Sequence, residues 1–301
     1  MYFCFMQSNN FKVKKTVNVQ RIFDFVFVQF KPVFPSRSSV KKAFKSKRIY
    51  LNNHLAQSGN WMVEGDTVHI KPLILDPIKV FPLDLNIIYE DAFMALVNIP
   101  AGIVVSGNFY KTLQNALFHN LSISLESDAL EIPRPVHRLD KMTAGLLMVA
   151  KTRRAQKYLG LQLEMQKIDK TYIALVKGSL LSSGEIISPI NGLKSQTLFK
   201  TLKTVKSASY KTLSLVELHP KTGRTHQLRI HMSNLGYPII GDNMYDSYKV
   251  LKGKGLFLFA SRIIFDHPIY KNSLSFELPI PNKFIQLINR EQKRWEKFCD
   301  Q

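Results

Sequence analysis

Residues 135–152 read PVHRLDKMTAGLLMVAKT, in which the polar residues His137, Arg138 and Asp140 run straight into the apolar segment GLLMVA. A short apolar run of this length reads as a buried strand. It sets an acid at a strand's mouth. Taken alone, an Asp there is more often a turn former or a cap than a catalyst. A kinase catalytic loop also gathers His, Arg, Leu and Asp, but here Leu139 precedes Asp140, no Asn follows at the required spacing, and there is neither a D-F-G nor a Gly-rich loop. A second feature has to say what Asp140 does.

That feature is KTGRTHQLRIHMSNLGYPIIGD, residues 221–242. Leu228, Met232 and Leu235 form one apolar helical stripe, His226, Arg229 and Ser233 fall on a neighbouring face, and Gly236 fits the helix end. An Arg raised from a helix into a cleft can pair bidentately with a carboxylate, keeping it ionised and fixed in direction. Such a carboxylate can serve as a nucleophile. The alternative is a surface Arg on an amphipathic helix.

Outward from these segments, NIIYED, FMALVNI, GLLMVAK, TYIALVKG, LSLVELHP and LFLFASRIIF read as strands, with helical spacing near 111–120, 152–167 and 225–235. The fold class is α+β. No fixed-period repeat and no Gly-rich phosphate loop occurs, which removes the main support for nucleoside-triphosphate chemistry. Residues 72–84 lie in PLILDPIKVFPLDL, whose three prolines read as an extended linker. Before it, residues 17–71 form a module of their own. Val19, Ile22, Phe23 and Val26 have helical spacing, and a second short helix, SRSSVKKAFKSKR, precedes the strands IYLN and VHIK. Arg37, Lys41, Lys42, Lys45, Lys47 and Arg48 carry that second helix's charge with no acid among them, while Val40 and Phe44 face a core.

The chain has 301 residues, enough for a large domain and a small one. Its 42 Lys and Arg against 22 Asp and Glu give a net charge of +20. Self-repulsion of that size is offset by a polyanion, so nucleic acid is the leading expected partner. No apolar run approaches a bilayer span, and the N-terminal MYFCFMQSNNFKVKK reverses the order of a secretory signal, so a cytoplasmic protein without membrane contact is expected. Cys4 and Cys299 sit far apart with no C-x-x-C spacing, pointing to neither a disulfide framework nor a zinc site. His226 and His231 are five residues apart, about 140° around a helix, a poor chelate even with His219 nearby. No metal site is expected.

PVHRLDKMTAGLLMVAKT, KTYIALVKG and HPKTGRTHQLRIHMSNLGYPIIGD, in that order and preceded by IIYEDAFMALVNIPAGIVV, resemble the RluA-type pseudouridine synthases over residues 85–285. SRSSVKKAFKSKRIYLNN with EGDTVHI resembles a small RNA-binding domain shared with a ribosomal small-subunit protein, here termed S-four-like. Lys47 and Asn53 stand where that domain has glycines. The resemblance implies a mixed, mainly antiparallel catalytic sheet flanked by helices, a small N-terminal α/β domain, and a helical tail over 286–301. It also implies an isomerase that converts uridine to pseudouridine in RNA without cofactor or metal; oligomeric state is left open, with a monomer as the default.

By that resemblance Asp140 is the nucleophile, attacking the ribose anomeric carbon or carbon 6 of uracil. Arg229 pairs with it, and Tyr172 stacks on the flipped base and helps remove the carbon 5 proton. A stacking aromatic offsets part of the few kcal/mol that unstacking costs. His137, Arg138 and Thr143 support substrate binding, with Arg138 directed to the opposite side of the loop from Asp140 and His137 in a hydrogen-bonding role; Arg37, Lys41, Lys42 and Lys45 of the small domain bind RNA. Two residues depart from the family pattern, Ile99 where Lys is usual and Ala144 where Ser is commoner, bearing on substrate contact near the RNA path. The family's habit points to large-subunit ribosomal RNA, with transfer RNA as the alternative. The readings from other classes are a non-catalytic RNA-binding or ribosome-assembly protein, and an RNA hydrolase using Asp140 as a base.

Overall fold

The structure is a computed structural model that describes residues 9–12, 19–31, 33–34, 36–71, 80–246 and 253–298. Cys4, Cys299 and most of the expected linker (72–79) lie outside the described residues. The chain divides into two compact units, Met1–Ile78 and Lys79–Gln301.

In the first unit, helices α1 (Ile22–Gln29) and α2 (Arg37–Lys45) accompany a four-stranded antiparallel sheet. Its strands β1 (Asn9–Lys12), β3 (Ile49–Leu51), β4 (His54–Leu55) and β6 (Thr67–Ile70) run in the order β1-β6-β3-β4, and a separate pair joins β2 (Gln20–Arg21) to β5 (Trp61–Met62). Helix α1 begins three residues later than the spacing suggested, leaving Val19 exposed. Ser36 starts α2 through a capping box with Ser39. Val40 and Ala43 of α2 are buried with Ile22, Val26 and Ile49, while Lys41, Lys42 and Lys45 are exposed. Arg37 is not a free cation: it pairs with Asp24 at 2.7 Å and lies over the rings of Phe23 and Phe27.

The second unit is built on a ten-stranded sheet. Its main path, β12-β13-β14-β11-β15-β10-β8-β7, uses β7 (Asn86–Glu90), β8 (Met94–Ile99), β10 (Ala144–Thr152), β11 (Asp169–Lys177), β12 (Ser183–Ile187), β13 (Gln196–Ser207), β14 (Lys211–Pro220) and β15 (Leu258–Asp266). Strand β9 (Ala129–Pro135) pairs with β10, and β16 (Ser273–Glu277) with β15. Every pairing is antiparallel except β10 with β15, which meet only at Ala144–Phe259 and Gly145–Ala260. Two half-sheets therefore join at a two-residue parallel seam.

Helices α3 (Leu113–Asn120), α4 (Arg153–Glu164), α5 (Gln227–Asn234) and α6 (Asn282–Phe298) complete this unit. Strand β10 reads as continuous apolar sequence because both its faces are covered. Leu147 and Val149 pack with Leu113 and Leu117 of α3, and Leu146 and Met148 with Leu159 of α4. Helix α5 ends as the sequence suggested, in a Schellman motif with Gly236 at φ +89 and Tyr237 N–H donating to the Met232 carbonyl. Leu235, expected on its apolar stripe, is half exposed at the cap.

Two expected boundaries shift. Residues 80–84 are not linker but part of this unit: Phe81 N–H donates to the Asn115 carbonyl, and the Asn120 amide spans Leu83 O and Leu85 N. A tail starting at 286 would cut α6, which buries Phe284, Leu287 and Ile288 against the core. Among the described residues no helix is long and apolar enough to cross a membrane.

Candidate active site

The seam between the half-sheets opens into a cleft of about 530 Å³ lined by Arg138, Asp140, Lys170, Tyr172, His226 and Arg229, among others. That volume is in the range of small-ligand pockets. Asp140 lies in the loop between β9 and β10, where its carbonyl accepts from Thr143 N–H at 2.8 Å and Lys141 O accepts from Gly102 N–H. Leu139 is buried with Leu147 and Val149, which anchors the loop and turns its neighbours toward the cleft. Arg138, in the irregular stretch 137–140, is exposed and lines the same cleft as Asp140.

Tyr172 reaches the cleft from β11. Its register partner on β15 is Ala260, the same residue that Gly145 pairs with from the other side. The β11–β15 ladder shifts register between Thr171 and Tyr172, where Ser261 of β15 is the extra, bulged residue, so alternation along β11 itself is kept. Two interstrand spacings, about 10 Å, thus separate the backbones of Tyr172 and of the strand that leads from Asp140. Burial, and then the nearby Asp140 charge, push the Tyr172 phenol well above its ordinary pKa.

Arg229 stands on α5 and is nearly buried. The bidentate contact expected with Asp140 is made instead with Asp242: Nε donates to Oδ2 at 2.7 Å and Nη2 to Oδ1 at 2.8 Å. Nη1 is left 3.7 Å from Asp140 Oδ2, an ion pair beyond hydrogen-bond length. Burial works against the Asp242 carboxylate, but the Arg229 hydrogen bond and the N–H groups of Met244 and Tyr245 outweigh it and hold its pKa low. On Arg229 burial is likewise outweighed by Asp242, and its pKa rises. Tyr245 lies 5.0 Å beneath the guanidinium and hydrogen-bonds His226 Nδ1 at 2.9 Å.

His226 is the N-cap of α5 in a left-handed conformation, so ideal helical angles do not describe it; its Nε2 is 3.9 Å from Asp140. Ser233, expected beside Arg229, donates to the Tyr245 carbonyl. His231 is buried elsewhere, against Ser195 and Thr197. His219 meets Thr171 and Glu217. His137 Nε2 accepts from Met148 N–H at 3.2 Å, which places its proton on Nδ1. Burial, helped by the Lys170 charge, lowers its pKa to about 4. Thr143 is 2% exposed, and its hydroxyl has no partner among the described residues. Ile99 is buried on β8 opposite Gly145. Asp242, Tyr245 and Lys170 were not singled out from sequence. Asp242 and Lys170 ended and began quoted motifs, and only the fold shows which cleft they serve.

The family profile described as RNA pseudouridylate synthase matches residues 94–234, which hold Asp140, Tyr172 and Arg229. The ribosomal large subunit pseudouridine synthase D of Buchnera aphidicola is 31% identical, over 84% of this chain and 89% of that protein. The uncharacterized RNA pseudouridine synthase YlyB of Bacillus subtilis is 33% identical, over 86% of this chain and 90% of that protein. Among solved structures, human RNA Pseudouridylate Synthase Domain Containing 1 shares the fold with a TM-score of 0.54 and 22% identity, covering 71% of this chain and 98% of its own. With relatives this similar along nearly their whole length, the chain belongs to the RNA pseudouridine synthase family.

Proposed function

We propose that this protein isomerises uridines of large-subunit ribosomal RNA, as a cytoplasmic monomer, with Asp140 as nucleophile. The observation that carries the reading is the Asp140 carboxylate facing Arg229 across 3.7 Å in a cleft it shares with Tyr172. The name of the Buchnera aphidicola relative favours large-subunit RNA. In the reaction the C1′–N1 bond breaks and a C1′–C5 bond replaces it, while C5 loses a proton and N1 gains one. The product has the mass of the substrate. Asp140 attacks C1′ or C6 so that the base can detach and turn, and regains a free carboxylate near C5 afterwards. Tyr172 stacks on the extruded base. Its raised pKa keeps the phenol protonated, which weighs against the role of proton acceptor expected for it. The exposed Lys41, Lys42 and Lys45 of the first unit, the S-four-like domain by our reading, hold RNA backbone.

Carbodiimide labelling with reverse-transcription stops tests this, on RNA from cells with the protein, without it, and rescued by Asp140→Asn. Stops in large-subunit RNA that return with wild type but not with the variant support the reading. Stops lost only from transfer RNA would move the substrate there. Unchanged stops alongside altered ribosome assembly would leave an RNA-binding protein, and strand cleavage or base loss would mean a hydrolase.

A further inference from the structure

Among the described residues, Lys170 is the cleft-lining cation that is partly withdrawn from water with no counter-charge beside it. It sits two residues before Tyr172 on β11, on the same face of the strand, and lines the cleft that holds Asp140. Of the other cleft cations, Arg229 is locked to Asp242, Lys221 lies 3.6 Å from Asp169, Arg224 donates to the Lys194 carbonyl, and Arg138 is exposed to solvent. Lys170 makes no ion pair or hydrogen bond among the described residues, although it is partly buried and burial lowers its pKa. A buried ammonium without a counter-charge is costly. It persists where a ligand supplies the missing anion.

We propose that Lys170 is a phosphate-binding residue for the target nucleotide, taking a backbone phosphate beside the extruded uridine while Asp140 and Tyr172 engage its sugar and base. This deepens, and rests on, the pseudouridylation reading above. Phosphate is favoured over uracil oxygens because uracil is neutral when it binds, whereas phosphate carries a full charge from the first encounter and offsets the desolvated ammonium at once. Lys170 and Arg229 reach the cleft from different elements, β11 and α5. A nucleotide anion at Lys170 leaves the Asp140–Arg229 pair undisturbed.

The test uses the full-length protein and the RNA shown by mapping to be modified. Lys170→Met keeps the length of the side chain without its charge, and Lys170→Arg keeps the charge. For Lys170→Met the RNA Kd should rise about tenfold or more. The slope of log Kd against log salt should fall by about 0.7, one phosphate contact on single-stranded RNA. The single-turnover rate at saturating enzyme should change little, Lys170→Arg should recover much of the affinity, and the free Lys170→Met protein should melt no lower than wild type. An unchanged Kd and salt slope would overturn the proposal. So would a loss confined to the saturated rate, which would assign Lys170 to charge developing on the base. Wild type that isomerises no RNA would instead refute the functional reading on which this rests.

Discussion

Arg229 spends two of its three nitrogens on Asp242, at 2.7 and 2.8 Å, and presents only the third toward Asp140. Asp242 is 1% exposed and also accepts from Met244 and Tyr245 N–H, so it is fixed from two directions. The guanidinium is thereby aimed before any substrate arrives. Asp242→Asn keeps the shape but loses one charge-assisted bond of about 1.5–3 kcal/mol. It should lower the single-turnover rate roughly tenfold or more with RNA Kd nearly unchanged. Asp242→Ala strands a buried cation and should cost about 3–5 kcal/mol of stability in urea unfolding. A full-rate Asp242→Asn would remove Asp242 from any positioning role.

His137 makes stability depend on acid in a defined window. Its folded pKa of about 4 lies below the ordinary value of 6.5. A group depressed in this way is kept neutral by the fold, so its contribution is complete above pH 6.5 and drains away as pH falls toward 4. The loss approaches about 3 kcal/mol. His137→Gln retains an acceptor for Met148 N–H and should flatten this part of the profile. Urea unfolding of both proteins between pH 7.5 and 4.5 measures the difference; parallel profiles would mean His137 does not titrate with folding.

Much of this was legible in the sequence, and the exceptions have physical causes. The central strands β8, β10 and β11 are readable because burial on both faces leaves an unbroken apolar run. Strand β9 was hidden by Pro133 and Pro135, tolerated because it pairs only with β10. Strand β13 was hidden by its bulge between Thr201 and Lys203, which breaks the alternation. Asp140, Tyr172 and Arg229 could be picked out as motif residues. Their partners could not, since Asp242 reaches Arg229 through the path of a loop, and Lys170 is notable only for what fails to surround it.

Gly145 is the residue on which the seam depends. It holds φ +120, and a Cβ there would stand 2.3 Å from the Ala260 carbonyl oxygen, on backbone that cannot yield. Gly145→Ala should therefore cost at least about 3 kcal/mol and with it the cleft, since Ala260 is also Tyr172's register partner. Gly160 in α4 is the control: nothing lies within 4 Å of its would-be Cβ, so Gly160→Ala should stabilise by about 0.5–1 kcal/mol. Thermal unfolding of the two variants should move in opposite directions, and a tolerated Gly145→Ala would show that the two half-sheets can part there.

Lys47 and Asn53 stand where the resemblance led us to expect glycine, and the backbone still makes glycine's demand. Lys47, at φ 56, follows α2 in a Schellman motif in which Arg48 N–H donates to the Ala43 carbonyl. Asn52 and Asn53, at φ 49 and 65, form the two-residue turn between β3 and β4, the left-handed pair of a type I′ turn. A lysine in this region costs about 1–2 kcal/mol, partly matched by the greater unfolded freedom of glycine. Lys47→Gly should thus stabilise the first unit by about 0.5–1 kcal/mol, and Asn53→Gly by less, because asparagine tolerates the conformation. The chain's two tryptophans fall one in each unit, Trp61 on β5 and Trp295 on α6. In a Trp295→Phe background, fluorescence-detected unfolding reads the first unit alone. A midpoint that falls in Lys47→Gly would mean that the lysine side chain holds contacts worth more than the strain of its backbone.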